Sequence, residues 1–133
     1  MTPGELIDKA KNLIKKRYDH EGHHVVVAAA LLTKAGHVYA AVNVGTYQPS
    51  IATCAEIIAI GMAHSAEPKM EIDMIVAMRY KKDAYITAPC GKCREYIADY
   101  GPDARVIIPA ENKRGYEVMP IAELLPHKYV KRA

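Results

Sequence analysis

The sequence predicts a single α/β domain in which a mixed β-sheet is covered by helices on both faces. Its 133 residues are enough for one domain with a buried core. Half of them are hydrophobic and a quarter are charged, which is typical of globular proteins. Helical and strand patterns alternate in the order α-β-β-α-β-α-β-β-α, an order that favours a sheet between helical layers. We therefore expect one domain over residues 1–133.

The predicted elements of the first half are a helix, two strands and a second helix. In chain order these are a helix over 5–18, a polar loop over 18–24 that could line a site, strands over 25–33 and 37–43, a loop over 44–53, and a helix over 53–66. Leu6, Ala10 and Leu13 form one stripe of the first helix. The β-branched start at 25 indicates a buried strand, and residues 34–36 form a short hairpin connection.

The second half repeats the alternation and ends in a short helix. Its predicted elements are a strand over 72–80, a helix over 88–100, strands over 105–109 and 115–119, and a helix over 120–124. Thr53 is an acceptable N-cap for the helix over 53–66, and Pro68 follows the end of that helix. Gly101 and Pro102 end the helix over 88–100, and Pro120 occupies the first turn of the last one.

All three cysteines fall at predicted helix starts, in Cys54-Ala55-Glu56 and in Pro89-Cys90-Gly91-Lys92-Cys93. First-turn N–H groups and the helix dipole stabilise a thiolate, which is the form that binds metal. Cys90 and Cys93 are three residues apart and share one face of their turn. Three thiolates can hold Zn²⁺ and leave one position of its tetrahedron open, as in catalytic sites. The pattern therefore predicts a catalytic zinc site.

Other roles for these cysteines have to be considered. They could be buried hydrophobic residues, a structural zinc half-site or a redox pair. The odd number speaks against a disulfide framework, and a closed structural site would need a fourth ligand. None of the six histidines falls at ligand spacing from another ligand, including His20, His23 and His24 in the polar loop. A catalytic site remains the better interpretation.

Two charged residues beside the cysteines have predicted roles. Glu56 would accept a proton from the attacking water and pass it to the substrate, although a glutamate that only stabilises the helix dipole is the alternative. Arg94 follows Cys93 directly and would offset the negative charge of three thiolates on zinc by donating hydrogen bonds to them. A plain surface arginine is the alternative there.

Composition argues against macromolecular and membrane partners. No apolar run reaches the roughly 18 residues of a membrane helix, and the net charge is only +3. The basic residues of the first helix favour a solvated face over a nucleic-acid patch, and no basic stretch is interleaved with aromatic residues. Met1-Thr2-Pro3-Gly4 does not have the layout of a signal peptide. With free cysteines, this leads us to expect a cytoplasmic protein.

These motifs resemble the zinc-dependent cytidine deaminases that act on free nucleosides, and within them the blasticidin S deaminases. Cys-x-Glu with a later Pro-Cys-x-x-Cys is the zinc deaminase pattern, here with Cys in place of the commoner His as first ligand. The resemblance spans almost the whole chain and includes residues 27–31, 43–44, 54–56, 88–94 and the ending 123–130. It implies a three-layer α/β/α sandwich with about five strands.

The same resemblance implies a function and a set of site residues. The reaction would be zinc-dependent hydrolytic deamination of a cytosine nucleoside, or of a cytosine-containing antibiotic such as blasticidin S, with release of ammonia. The residues implied are Cys54, Cys90 and Cys93 for zinc, Glu56 for proton transfer, Arg94 for charge compensation, and Asn43, Ala55 and Tyr129 for the substrate. The resemblance also implies a homotetramer in which subunits complete one another's sites.

The chain departs from ordinary cytidine deaminases at a position that contacts the sugar of the substrate. In those enzymes an asparagine and a glutamate two residues later both bind the ribose. This chain keeps the asparagine as Asn43 but has Gly45 in place of the glutamate. Without that carboxylate a sugar hydroxyl loses a partner, so discrimination for plain ribose should weaken. Two other functions stay open at this point: deamination of another amino-heterocycle, and a non-catalytic zinc module that binds RNA.

Overall fold

The computed structural model describes the backbone of residues 1–21 and 26–132, and the side chains of residues 1–17 and 26–132. The elements, in chain order, are α1 Pro3–Glu21, β1 Val27–Thr33, β2 Val38–Val42, a 3-10 turn Pro49–Ile51, α2 Ala55–Ala66, β3 Ile72–Lys81, β4 Asp83–Thr87, α3 Gly91–Tyr100, β5 Arg105–Pro109, β6 Tyr116–Pro120 and α4 Ile121–Leu124. Within these residues, no helix combines the length and the apolar character needed to cross a membrane.

The strands form one mixed sheet of six strands. Its main path is β2-β1-β3-β5-β6, and β4 also pairs with β3. All pairs are antiparallel except β3 with β5. Strand β1 occupies one edge of β3, so β4 and β5 share the other edge, where β4 pairs with residues 77–81 and β5 with residues 74–76. The sheet therefore divides into two branches beyond β3.

Helices cover both faces of the sheet. Side chains alternate along β3, so that Met74, Val76 and Met78 pack with α1 on one face. Ile75 packs on the other face with residues of α2, α3 and α4. Ile72 joins it there because the pairing of β1 with β3 shifts register between Met74 and Ile72. The predicted α/β/α sandwich is confirmed, and the helices that carry the three cysteines lie on the same side of it.

The main differences between the predicted and the observed elements concern α1, β4 and the starts of α2 and α3. Helix α1 continues to Glu21, into the predicted polar loop, while His23, His24 and Val25 lie outside the described residues. Strand β4 was not predicted, because it is short and follows a turn without glycine, in which Lys82 adopts a φ of 69°. Helices α2 and α3 begin at residues 55 and 91 instead of 53 and 88.

Candidate active site

The helix starts of α2 and α3 each present a cysteine as the N-cap residue. Cys54 caps α2 and Cys90 caps α3, both with extended backbone, and neither side chain makes a capping hydrogen bond. The expectation of Thr53 as N-cap was therefore wrong by one residue. Because the Sγ atoms are not used to cap their own helices, they remain available to a ligand.

The loop before α2 is closed by a short β-bridge. The backbone N–H groups of Val44 and Thr53 each donate to the carbonyl of the other at 3.0 Å. Asn43 and Cys54 flank this bridge and both line the same cavity. The Asn43 Oδ1 accepts hydrogen bonds from the N–H groups of Val26 and Val27, both at 3.0 Å. Asn43 thus anchors the start of β1, a structural task that the sequence analysis did not predict.

The three cysteines form one cluster. Their Sγ atoms all lie within 4.8 Å of one another, with Cys93 buried, Cys54 half-buried and Cys90 exposed. Tetrahedral zinc with Zn–S bonds near 2.3 Å requires S···S separations of about 3.8 Å. Small side-chain rotations therefore suffice to bring the three sulfurs to bonding distance. The donor set is soft and favours Zn²⁺ over Mg²⁺, so the cluster fits zinc.

The pKa values of the three thiols are shifted by burial and by the groups around them. Burial raises the pKa of Cys93, and the neighbouring Glu56 and the other two cysteines raise it further. Burial also raises the pKa of Cys54. Although Cys90 as a residue is exposed, partial desolvation of its Sγ would raise the pKa. The nearby N–H groups of Cys93 and Lys92, which do not reach capping geometry, and the other two thiols lower that pKa below the usual thiol range. The predicted effect of first-turn N–H groups on the thiol pKa is therefore seen at Cys90 and not at Cys54 or Cys93.

Glu56 lies in the second position of α2, directly beside the cluster. It is only 5% exposed, and burial raises the pKa of its carboxyl despite hydrogen bonds from its own N–H and from Cys93. A glutamate that served only the helix dipole would be expected on the solvent side. Its position in the cavity beside Cys93 favours a chemical role over that alternative.

A cavity of about 290 Å³ opens onto the cluster. Its lining includes the predicted Asn43, Cys54, Ala55, Glu56 and Cys90, together with Val27, Ala52, Thr53, Arg79, Thr87 and Ala88. Arg79 and Thr87 were not predicted. Alternation along β3 places Arg79 on the α2 side of the sheet. Its proximity to the cysteines follows from pairing with β4, which leads to Cys90 and was not predicted.

Arg94 makes two hydrogen bonds that the sequence analysis did not predict. Its Nε donates to the Pro89 carbonyl at 2.8 Å and its Nη1 donates to the Leu124 carbonyl at 3.0 Å. Within the described part of the chain the guanidinium makes these two bonds rather than the predicted bonds to the thiols. The Pro89 carbonyl lies just before α3 and the Leu124 carbonyl lies at the end of α4. Neither is used within a helix, so both are available to the Arg94 side chain.

Tyr129 lies apart from the cysteine cavity of its own chain. Its side chain is 76% exposed, and it borders a separate groove along α3 with Glu95 and Asp99. Lys128 holds this C-terminal segment through Asp99 at 2.6 Å and Glu95 at 3.6 Å. A contact of Tyr129 with substrate would therefore have to involve the cavity of another subunit.

Comparisons with known proteins agree on one family. The sequence profile of the "Cytidine and deoxycytidylate deaminase zinc-binding region" matches residues 2–109. The chain is 38% identical to blasticidin-S deaminase of Bacillus cereus over 96% of its own length and 91% of that protein. It is 36% identical to a probable cytidine deaminase of Dictyostelium discoideum over 73% of its length and 64% of that protein.

Solved structures agree with this result. The cytidine deaminase of Burkholderia pseudomallei superposes with a TM-score of 0.76 at 29% identity, covering 97% of this chain and all of that one. That of Bacillus anthracis gives a TM-score of 0.77 at 25% identity, covering 95% of this chain and 88% of that one. With three clustered cysteines and a buried glutamate beside them, the chain belongs to the zinc-binding cytidine and deoxycytidylate deaminase family.

Proposed function

We propose that the protein deaminates a cytosine nucleoside by hydrolysis, with a cytosine-containing antibiotic of the blasticidin S type as the leading substrate. The observation that carries this proposal is the buried carboxyl of Glu56 beside the thiol cluster, at the wall of a cavity large enough for a planar ring. The strong overall similarity to blasticidin-S deaminase of Bacillus cereus supports the choice of substrate.

Cys54, Cys90 and Cys93 would hold the zinc ion. When bound, zinc supplies a Lewis acid that makes a water molecule nucleophilic at neutral pH. Glu56 takes the proton from that water and delivers it to the ring nitrogen beside the carbon under attack. The same carboxyl then assists departure of the amino group as ammonia. Burial keeps Glu56 away from bulk water, so that it exchanges protons with the substrate.

Asn43 and Ala55 would hold the substrate in the cavity. Ala55 is fully buried at the first position of α2 and its small side chain leaves room for a flat base. Asn43 lines the cavity beside Thr53 and Cys54, and we assign it a contact with the sugar of the substrate. Arg94 would act indirectly, by fixing the start of α3 and so the positions of Cys90 and Cys93.

We further propose a homotetramer in a reducing cytoplasm. The exposed apolar side chains of Met62 on α2, and of Tyr129 and Val130 at the C-terminus, are available to cover one another between subunits. In such an assembly Tyr129 would reach a neighbouring cavity and stack on the base. A reducing compartment keeps the three thiols available to zinc. The proposed substrate is a small molecule, with no nucleic acid or membrane as partner.

The test is a substrate panel on zinc-loaded protein. Loss of the cytosine absorbance is followed with blasticidin S, cytidine and deoxycytidine, and ammonia is measured in parallel. We expect turnover of at least one compound, with the highest kcat/KM for blasticidin S. Zinc-loaded, folded protein that releases ammonia from none of them would refute the proposed reaction. A clear preference for cytidine would refute only the choice of substrate.

A further inference from the structure

Arg79 lines the same cavity as Cys54, Glu56 and Cys90, and the proposed reaction gives it no task. It lies near the end of β3, four residues after Ile75. Side chains alternate along a strand, and Ile75 packs in the core beneath α2 and α3. Arg79 therefore projects from the sheet face that carries the site.

The β3–β4 pairing places Arg79 away from the thiols. Thr87, which also lines the cavity, pairs with Ala77, and the chain continues from Thr87 to Cys90. Arg79 pairs with Tyr85, which precedes Thr87 on β4. Its backbone therefore lies one side-chain row, about 7 Å along the strand, beyond the row of Thr87. The cavity thus has a cysteine end and an arginine end.

Arg79 carries a charge without a partner among the described residues. Throughout residues 1–21 and 26–132, no hydrogen bond or ion pair engages its exposed guanidinium. Other arginines have partners: Arg94 donates to Pro89, Arg105 to Asp73 and Arg114 to Tyr116. Among the described lining residues Arg79 is the one basic side chain, and the acidic one is Glu56 at the cysteine end.

We propose that Arg79 determines specificity by binding an anionic group, a carboxylate or a phosphate, on the sugar of the substrate. This inference rests on the proposed deamination of a cytosine nucleoside in the same cavity. A guanidinium presents parallel donors that match either anion with two hydrogen bonds. Glu56 and the thiols would repel an anion, so the charges of the cavity direct the base to the cysteine end and the anion to Arg79.

The experiment compares three compounds that differ only at the 5′ position: cytidine, cytidine 5′-monophosphate and cytidine 5′-carboxylic acid. We expect at least one anionic compound to have a higher kcat/KM than cytidine with the wild-type protein. Arg79→Gln should lower kcat/KM for that compound by about tenfold to a hundredfold, mainly through KM, because one charged hydrogen-bonding partner is lost. Its turnover of cytidine should be little changed.

Two control variants test the specificity of the effect. Arg79→Lys keeps the charge but not the paired donors, and should retain part of the preference. Arg105→Gln makes the same change of net charge on β5, where the side chain faces Asp73, and should leave the preference intact. A loss confined to the carboxylate identifies a sugar acid as the substrate class, and a loss confined to the phosphate identifies a nucleotide.

Equal losses for all three compounds in Arg79→Gln would overturn the proposal, and so would a wild-type preference for cytidine that Arg79→Gln leaves unchanged. If the wild-type protein deaminates none of these compounds and also neither blasticidin S nor deoxycytidine, the proposed function fails. Calorimetric binding of the same three compounds then still tests Arg79, because weaker binding of an anion by Arg79→Gln would support the anion site and unchanged binding would refute it.

Discussion

Arg94 and Leu124 are joined by a hydrogen bond of 3.0 Å from the Nη1 of the arginine to the carbonyl oxygen of the leucine. The same guanidinium donates through Nε to the Pro89 carbonyl at 2.8 Å. Pro89 precedes Cys90, Arg94 follows Cys93, and Leu124 ends α4. One side chain thus ties the segment with two of the cysteines to the C-terminal end of the fold.

Arg94→Ala should reduce the free energy of unfolding by about 2 kcal/mol, because hydrogen bonds from a charged donor to two carbonyls are lost. Urea denaturation of the zinc-loaded protein measures this. Arg94→Lys, which keeps the charge but not the forked donors, should fall between wild type and alanine. Turnover should suffer less than in Glu56→Gln. Unchanged stability with loss of zinc would instead indicate that Arg94 acts on the thiolates.

Glu56→Gln should keep the fold and the zinc but lower kcat by about two to four orders of magnitude, since an amide cannot transfer the protons. Steady-state kinetics and metal analysis on the same preparation check both parts. Glu123→Gln makes the same chemical change on the exposed side of α4 and should behave as wild type. Wild-type turnover in Glu56→Gln would show that another group transfers the protons.

One zinc ion per chain is expected, and its removal should expose three thiols. The chain has only three cysteines, all free and clustered. Chelator in denaturant should therefore release one zinc together with three groups that react with a thiol reagent. Cys93→Ser, which changes the buried ligand, should lower zinc content most strongly. Full zinc occupancy in Cys93→Ser would rule out the three-thiol site.

The C-terminal segment tests the assembly. Light scattering should give a tetramer for the full chain. Removal of residues 124–133 should raise KM or break the tetramer, but it also removes the Leu124 carbonyl that binds Arg94. Removal of residues 127–133 spares that bond and deletes Tyr129, so it isolates the tail. A monomeric full-length protein would refute the tetramer, and unchanged KM in the shorter deletion would exclude Tyr129 from the site.

Glu67 should make stability depend on pH at the acid side. Burial alone would raise the pKa of its carboxyl, but hydrogen bonds from Tyr39, Thr33 and His37 together lower it. A lowered pKa in the folded state stabilises the fold above the unfolded carboxyl pKa of about 4.3, and this contribution is lost as pH falls through the folded pKa. The stability difference between wild type and Glu67→Gln should therefore shrink in acid.

Urea denaturation at neutral pH and below pH 4 measures that difference. Glu71→Gln is the control, because Glu71 is an exposed partner of Lys34 at 2.8 Å, and surface pairs of this kind contribute little to stability. A difference that stays constant with pH would show that Glu67 is not preferentially ionised in the folded protein.

Local signals predicted the cysteine cluster because each cysteine lies at a helix start, where spacing along the chain determines the direction in which the side chain points. For Cys90 and Cys93, the geometry of the first turn of α3 is enough to predict that both side chains share one face. Arg79 depends on β4, whose short sequence carries no distinct strand signal, and so it was missed. The partners of Arg94 could not be predicted either, since Leu124 is thirty residues away along the chain. Long-range contacts of this kind are set by packing, not by local periodicity.

The shared edge of β3 has a consequence for the order of folding. Only Lys82 separates β3 from β4, so their hairpin closes a very short loop. The parallel pairing of β3 with β5 requires the intervening chain, which includes α3, to pass over the sheet first. Short-range pairings form earlier than long-range ones. The β3–β4 hairpin, which leads into Cys90, would then form before β5 pairs with β3.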